Sequence, residues 1–242
     1  MTGYDRVEFG QAWLDADRNG CDTRNDILGR DLLHPTFKPG TRDCVALTGT
    51  LPDPYTHTEV PFARGAGDQV DIDHVVALGN AWVTGAFRRS IKVRAALAND
   101  PLNLLAVDAH NNRSKGDGDA ATWLPPYKAF RCAYVARQIA VKKKYRLWVT
   151  RPEHDAMVRV LSRCPGELLP RDVSHLPTAV DQNITDPTAR PSSGARSLVG
   201  TGSSVYYKNC DAVRAAGKAP IRRGDPGYAR HLDRDGDGIG CE

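Results

Sequence analysis

The chain predicts an α+β fold: a small core of two strands and a helix embedded in further helices, with a separate small module at the C-terminus. Three observations lead there. Residues 70–76 and 102–107 are short apolar runs set between turn residues, the pattern of strands. After the second run the sequence turns polar behind Asp108, a good N-cap, so a helix starts there. Residues 170–204 are rich in Pro, Ser, Thr and Gly with few large apolar side chains, the composition of a flexible linker, and a Cys- and Asp-rich tail follows. The divisions are therefore a domain at 1–169, a linker at 170–204 and a module at 205–242.

Residues 1–69 read as largely irregular. Tyr4, Phe9, Trp13 and Leu14 suggest a short amphipathic start, and residues 15–20 a turn. That turn looks like the front of a calcium loop, but no correctly placed downstream carboxylate completes it. A helix is expected over 24–32 and a strand over 45–51, followed by the turn Pro52-Asp53-Pro54-Tyr55. His34 and His57 stand alone in polar loops and read as surface residues. Between 78 and 99, Leu78, Trp82, Val83, Phe87, Ile91, Val93 and Leu97 fall at helical spacing, and Gly85 divides them into two short helices. Trp82 and Phe87 read as core residues. Arg88, Arg89, Lys92 and Arg94 make a basic face. The clearest helix carries the stripe Ala129, Cys132, Val135, Ala136, Ile139 and Ala140 and ends in Lys142-Lys143-Lys144, where cations suit a helix C-terminus. A last helix is expected from Glu153 to Cys164.

At 242 residues the chain holds one ordinary domain plus a small module. The net charge of +4 is compatible with a nucleic-acid partner without requiring one. No apolar run reaches the ~18 residues of a membrane-spanning helix, so none is expected. The six cysteines contain no Cys-x-x-Cys pair, which argues against zinc-finger and thioredoxin chemistry. An even number at wide spacing favours disulfides in an oxidising compartment. Nearest-neighbour pairing gives Cys21–Cys44, Cys132–Cys164 and Cys210–Cys241, one of fifteen pairings that six cysteines allow. Each such bridge is worth on the order of 3 kcal/mol in the chain-entropy view. The chain opens Met1-Thr2-Gly3-Tyr4 without an apolar leader. If exported, it is a mature or trimmed form.

The chemistry-bearing stretch is 70–118. It brings Asp71, Asp73 and His74 at the end of one strand toward Asn103 and the helix start Asn111-Asn112-Arg113-Ser114-Lys115. Phosphodiester hydrolysis needs a base for water and a cation for the charge that grows on phosphate and leaving oxygen. A neutral His supplies the first, and a carboxylate with an amide oxygen suits Mg²⁺ or Mn²⁺ for the second. An isolated Asp-His pair is ordinarily a surface pair, and Asn-Asn ordinarily a turn. The two halves in order, with nine residues from Asn103 to Asn112 (112 − 103), carry the reading.

At these residues the sequence resembles an HNH endonuclease with its ββα-metal (His-Me finger) motif, of the DUF1524 type also seen in the GmrSD restriction enzymes. The resemblance implies His74 as general base, and Asp73 and Asn112 as metal ligands, with Asp71 as a further candidate. Asn103 would pin the loop carrying His74. Arg113 and Lys115 would lie near phosphates, and Arg88 and Arg89 would extend the nucleic-acid contact. The last ligand is Asn where many relatives have His, with His110 just before it, which favours Mg²⁺ or Mn²⁺ over zinc.

The tail ends Asp233-Arg234-Asp235-Gly236-Asp237-Gly238-Ile239-Gly240-Cys241-Glu242. Carboxylates at positions 1, 3 and 5 and glycine at 6 match the front of an EF-hand loop, but the Glu stands at position 10 and no helix follows. The ending resembles instead the Excalibur module, an extracellular calcium-binding domain. That resemblance implies Ca²⁺ held by Asp233, Asp235, Asp237, Glu242 and the Ile239 carbonyl, weakly, as extracellular modules do. Disulfide and Ca²⁺ together would staple a unit too small to stand on its core alone.

The expected function is an exported, metal-dependent endonuclease acting on DNA, with RNA as the alternative substrate. Low sequence specificity is expected, because no helix-turn-helix or zinc finger is visible. It would act as a monomer, with the tail serving stability, activation or attachment to the cell envelope. One rival is a restriction-type nuclease for modified DNA, although no Gly-x-x-x-x-Gly-Lys loop for an NTPase is present. The other is a calcium-dependent cell-surface binding protein with an inert nuclease core.

Overall fold

A computed structural model describes residues 3–67, 69–172, 176–187, 206–233 and 239–241. The chain forms two compact units, 1–190 and 191–242. It mixes small sheets with helices, and three disulfides join Cys21 to Cys44, Cys132 to Cys164 and Cys210 to Cys241.

The first unit opens with a 3₁₀ turn, Arg6–Phe9, capped by Asp5, whose carboxylate accepts from the Val7 N–H. Helix α1 (Thr23–Asp31) follows, N-capped by Asp22. Then comes an antiparallel sheet of β1 (Leu33–Phe37), β2 (Ala46–Pro52) and β3 (Glu59–Ala63) in that order. Only the middle strand was legible. β1 carries Pro35 and a positive φ at His34, pairs with two register shifts and is largely exposed, so it has no apolar alternation to read.

Strands β4 (Val70–His74) and β5 (Leu104–Asp108) pair antiparallel, with Val70 opposite Asp108 and His74 opposite Leu104. β5 is buried on both faces, which is why its sequence is continuously apolar. Leu104 and Ala106 join Val70 and Ile72 in one core cluster, while Leu105 and Val107 join Tyr55 and Tyr134 in another. Between the strands lie α2 (Leu78–Val83) and α3 (Ile91–Ala98), broken at Gly85 with φ 127°. Helix α4 (Ala109–Lys115) starts directly after β5, with the Asp108 carboxylate accepting from the Asn111 N–H.

Helices α5 (Arg131–Tyr145) and α6 (Arg151–Leu161) complete the unit. α6 starts ahead of the expected Glu153 because Thr150 and Glu153 form a capping box and Pro152 fits the first turn. A buried ion pair, Lys142 Nζ to Glu153 Oε1 at 2.6 Å, joins the two helices beside the Cys132–Cys164 bridge. Lys144 pairs with Asp100 and Asp172. Among the described residues no helix is long and apolar enough to cross a membrane.

Two expectations need correcting. The stretch expected as flexible linker is packed on the first unit over 176–187. Val180 is buried in the core with Phe9 and Trp82, its N–H donates to the Lys92 carbonyl at 3.1 Å, and Asp186 pairs with Arg94 at 3.0 Å. Sparse apolar residues hid this: Val180 and the partly buried Ile184 pack on the core, and polar contacts at Val180, Asp181, Gln182 and Asp186 hold the rest. Phe87, expected in the core, is 42% exposed against Trp148, whereas Trp82 is buried.

The second unit has its own core of Val213, Ile221, Leu232 and Cys241 around α7 (Cys210–Ala215) and the short pair β6 (Ile221–Arg222) and β7 (Ile239–Gly240).

Candidate active site

Asp71 and Asp73 are two residues apart on β4 and so share the face on which α4 lies. Asn112 and Lys115 are three apart on α4 and so share the face turned back to them. The pairs meet in register. The Asn112 amide Nδ2 donates to Asp71 Oδ2 at 3.2 Å, and Lys115 Nζ donates to Asp73 Oδ1 at 2.8 Å. The other Asp73 oxygen accepts from the Tyr55 hydroxyl. Asp73 is buried, and burial first, then the nearby Asp73 charge, pushes the Tyr55 hydroxyl well above its ordinary pKa, so it remains a donor.

His74 ends β4. Its ring Nε2 lies 2.9 Å from the Ala98 carbonyl, which can only accept, so Nε2 carries the proton and Nδ1 the lone pair. Trp13 stacks on the ring at 6.4 Å between centroids. Burial, then the charge of Arg6, lowers the imidazole pKa to about 4, so the ring is neutral at neutral pH. Asn103 is fully buried behind it. Its Oδ1 accepts from the Val76 N–H at 2.8 Å, and its backbone carbonyl accepts from the Val75 N–H at 2.8 Å. Both bonds fix the chain immediately after His74.

Asp73, His74 and Asn112 line one pocket of about 260 Å³. Tyr4, Arg6 and Asp117 line it too, and none of these was expected from sequence as a site residue. Asp117 Oδ1 accepts from the Gly79 N–H at 3.0 Å, and the two come so close that a Cβ on Gly79 would stand 2.4 Å from that oxygen. The motif itself could have flagged Asp117, two residues past Lys115. Arg6 has no such signal, being separated from His74 by most of the first seventy residues.

Lys115 departs from its expected place near phosphates. Its side chain has no exposed surface, and its amine is bound to Asp73 and, at 2.8 Å, to the His74 carbonyl. Arg113 is exposed, 3.7 Å from Asp71. Arg88 lies over the Phe87 and Trp148 rings at 5.1 and 5.4 Å, and Arg89 donates to the Arg146 carbonyl at 3.0 Å. Neither arginine lines the pocket.

The donor set suits a hard divalent cation with two protein ligands. A carboxylate offers more lone pairs than the two that Tyr55 and Lys115 occupy on Asp73, and hydrogen-bonded carboxylates are ordinary metal ligands. With its Nδ2 on Asp71, Asn112 keeps Oδ1 as its donor oxygen. Among the described residues no group of three or more His, Cys, Asp or Glu could hold a metal. In the second unit, Asp233 is buried and accepts from the Tyr228 hydroxyl, and Ile239 lies in β7. Asp235, Asp237 and Glu242 lie outside the described residues.

Comparison with known proteins finds a family match in each of the two parts of the chain. Residues 207–242 match the Excalibur calcium-binding domain, so the chain carries a calcium-binding domain of that type. An uncharacterized secreted protein of Arthroderma benhamiae is 36% identical over 166 residues, spanning 68% of this chain and 77% of the relative. No solved structure matches the chain. Residues 22–160, more than half of the chain and including every residue of the β4–β5–α4 site, match the C-terminal domain of GmrSD restriction endonucleases, and the protein belongs to that nuclease family.

Proposed function

We propose that the protein is an exported endonuclease of the HNH, ββα-metal type that hydrolyses phosphodiester bonds of DNA, with RNA as the alternative substrate, at low sequence specificity. The observation that carries this reading is the convergence of Asp73, His74 and Asn112 on one pocket, with the His74 ring neutral and its proton on the side away from Nδ1. Mg²⁺ or Mn²⁺ held by Asp73 and the Asn112 carbonyl oxygen would neutralise charge on the phosphate and the leaving oxygen. The chain's own residues do the rest. Nδ1 of His74 takes a proton from water. The water oxygen bonds to phosphorus as the bond to the 3′ oxygen breaks, which leaves a 5′ phosphate. The 3′ oxygen takes a proton from solvent. Asn103 and the Ala98 carbonyl hold the base in place, and Tyr55 and Lys115 hold Asp73.

Export is supported by the secreted relative's name and by three disulfides. In the tail, Asp233, Asp235, Asp237, Glu242 and the Ile239 carbonyl are the Ca²⁺ ligands of this reading.

The test is plasmid cleavage by the purified protein in EDTA, Mg²⁺, Mn²⁺ or Ca²⁺, beside His74→Ala. Cleavage is expected with Mg²⁺ or Mn²⁺ and not in EDTA. The variant should lose about 10²- to 10⁴-fold, the usual contribution of a general base, while still binding metal. Wild-type-like activity in the variant would remove His74 from the mechanism. One observation favours the rival with an inert core, namely that both Asp73 oxygens already have partners. No cleavage of plasmid, single-stranded DNA or RNA under any metal would select that rival.

A further inference from the structure

One wall of the pocket comes from outside the family match. Tyr4 and Arg6 line it and Trp13 stacks on His74, yet the match begins at residue 22. This leading segment is firmly docked. Phe9 is fully buried, with its ring 6.2 Å from that of Trp82, and the buried Arg94 guanidinium donates to the Glu8 carbonyl and pairs with the Glu8 carboxylate at 3.2 Å. The Leu14 N–H donates to Asn99 Oδ1 at 3.0 Å. Arg6 is thereby fixed at the pocket with one guanidinium N–H spent, on the Gly10 carbonyl at 3.3 Å.

Among the described residues, Arg6 is also the one Lys or Arg that lines this pocket. Of the two cations the motif supplies, Lys115 is bound to Asp73 and the His74 carbonyl, and so is unavailable to a substrate, and Arg113 lies beside Asp71 at 3.7 Å, outside the pocket lining. Hydrolysis of a phosphodiester gathers negative charge on the non-bridging oxygens, and a fixed guanidinium matches such a group in charge and in planar geometry.

We propose that Arg6 is the phosphate-binding residue of this site, donating to a non-bridging oxygen of the scissile phosphodiester and balancing the charge that builds there in the transition state. The leading segment is then a working part of the catalytic pocket. The proposal rests on the nuclease reading above.

The experiment compares the full-length wild type with Arg6→Gln, Arg6→Lys and Asp5→Ala. It measures kcat and KM on a labelled duplex in Mg²⁺, and the salt dependence of binding the same duplex in EDTA. Arg6→Gln should lower kcat/KM by about 10²- to 10³-fold, the usual effect of losing one transition-state donor. Arg6→Lys should recover about tenfold of that loss. In EDTA the log–log salt slope of binding should fall by about one in Arg6→Gln. Asp5→Ala removes the cap of the Arg6–Phe9 turn without touching the guanidinium. It should stay within about threefold of wild type, and it separates a charge effect from disturbance of the segment. Arg6→Gln within about threefold of an active wild type would overturn the proposal and leave the nuclease reading standing. So would Asp5→Ala as damaging as Arg6→Gln. If the wild type cleaves nothing, a salt slope that depends on Arg6 keeps the phosphate contact and rejects hydrolysis, while an unchanged slope rejects both.

Discussion

At Lys115 the chain puts an ammonium with no exposed surface between the Asp73 carboxylate and the His74 carbonyl. Such a buried pair seldom adds much stability over well-packed apolar residues, but removing one partner strands the other charge, at about 3–5 kcal/mol. Lys115→Met should therefore destabilise the first unit by about that amount in urea unfolding. Adding Asp73→Asn should recover at least about 1 kcal/mol, a coupling that separated sites do not show. Strict additivity, or an unshifted midpoint, would mean that the pair is open to water. The sequence made Lys115 look like a phosphate contact because it follows Asn112 on a polar helix. What it did not reveal was which face of that helix meets β4. The strand period of two and the helix step of three place Lys115 on Asp73, and that is a tertiary fact. Arg6 was hidden for a related reason, since nothing local links it to a histidine so distant in sequence.

Among the elements, those that hold the site were the most legible. β4 and β5 are apolar runs with clear ends, and Asp108 caps α4 as its side chain suggests. The break between α2 and α3 was also legible, because Gly85 sits at φ 127°, a conformation side chains rarely adopt. There is a second reason for glycine there. A Cβ would stand 2.9 Å from the Trp148 ring. Gly85→Ala combines backbone strain with overpacking and should cost about 2–4 kcal/mol, read as a lower urea midpoint for the first unit. A cost below about 0.5 kcal/mol would show that the loop relaxes freely. The three-stranded sheet was harder to read, because β1 breaks strand rules with Pro35 and two register shifts. The 176–187 strap was misread because composition describes a segment's average, whereas Val180, Ile184 and a few polar contacts anchor it.

In the whole molecule, the two units have separate cores. Val213, Ile221, Leu232 and Cys241 all lie beyond residue 190, and the other three clusters lie before it. A core this small is expected to need its disulfide and bound calcium as staples. Ligand bound only to the folded form adds RT ln(1 + [L]/Kd), about 2.7 kcal/mol at a hundredfold excess over Kd. Calorimetry of the full chain should thus show a smaller transition that rises with Ca²⁺ and falls in EDTA. Asp235→Asn should abolish that rise and leave the larger transition where it was. Because Ca²⁺ would also compete for the proposed Asp73–Asn112 site, the variant rather than chelation alone assigns the effect to the tail. If Asp235→Asn instead moves both transitions together, the two cores unfold as one cooperative system. Calcium at the C-terminus would then stabilise the nuclease unit directly, and cleavage measured with and without Ca²⁺ would differ through the folded fraction rather than through chemistry at His74.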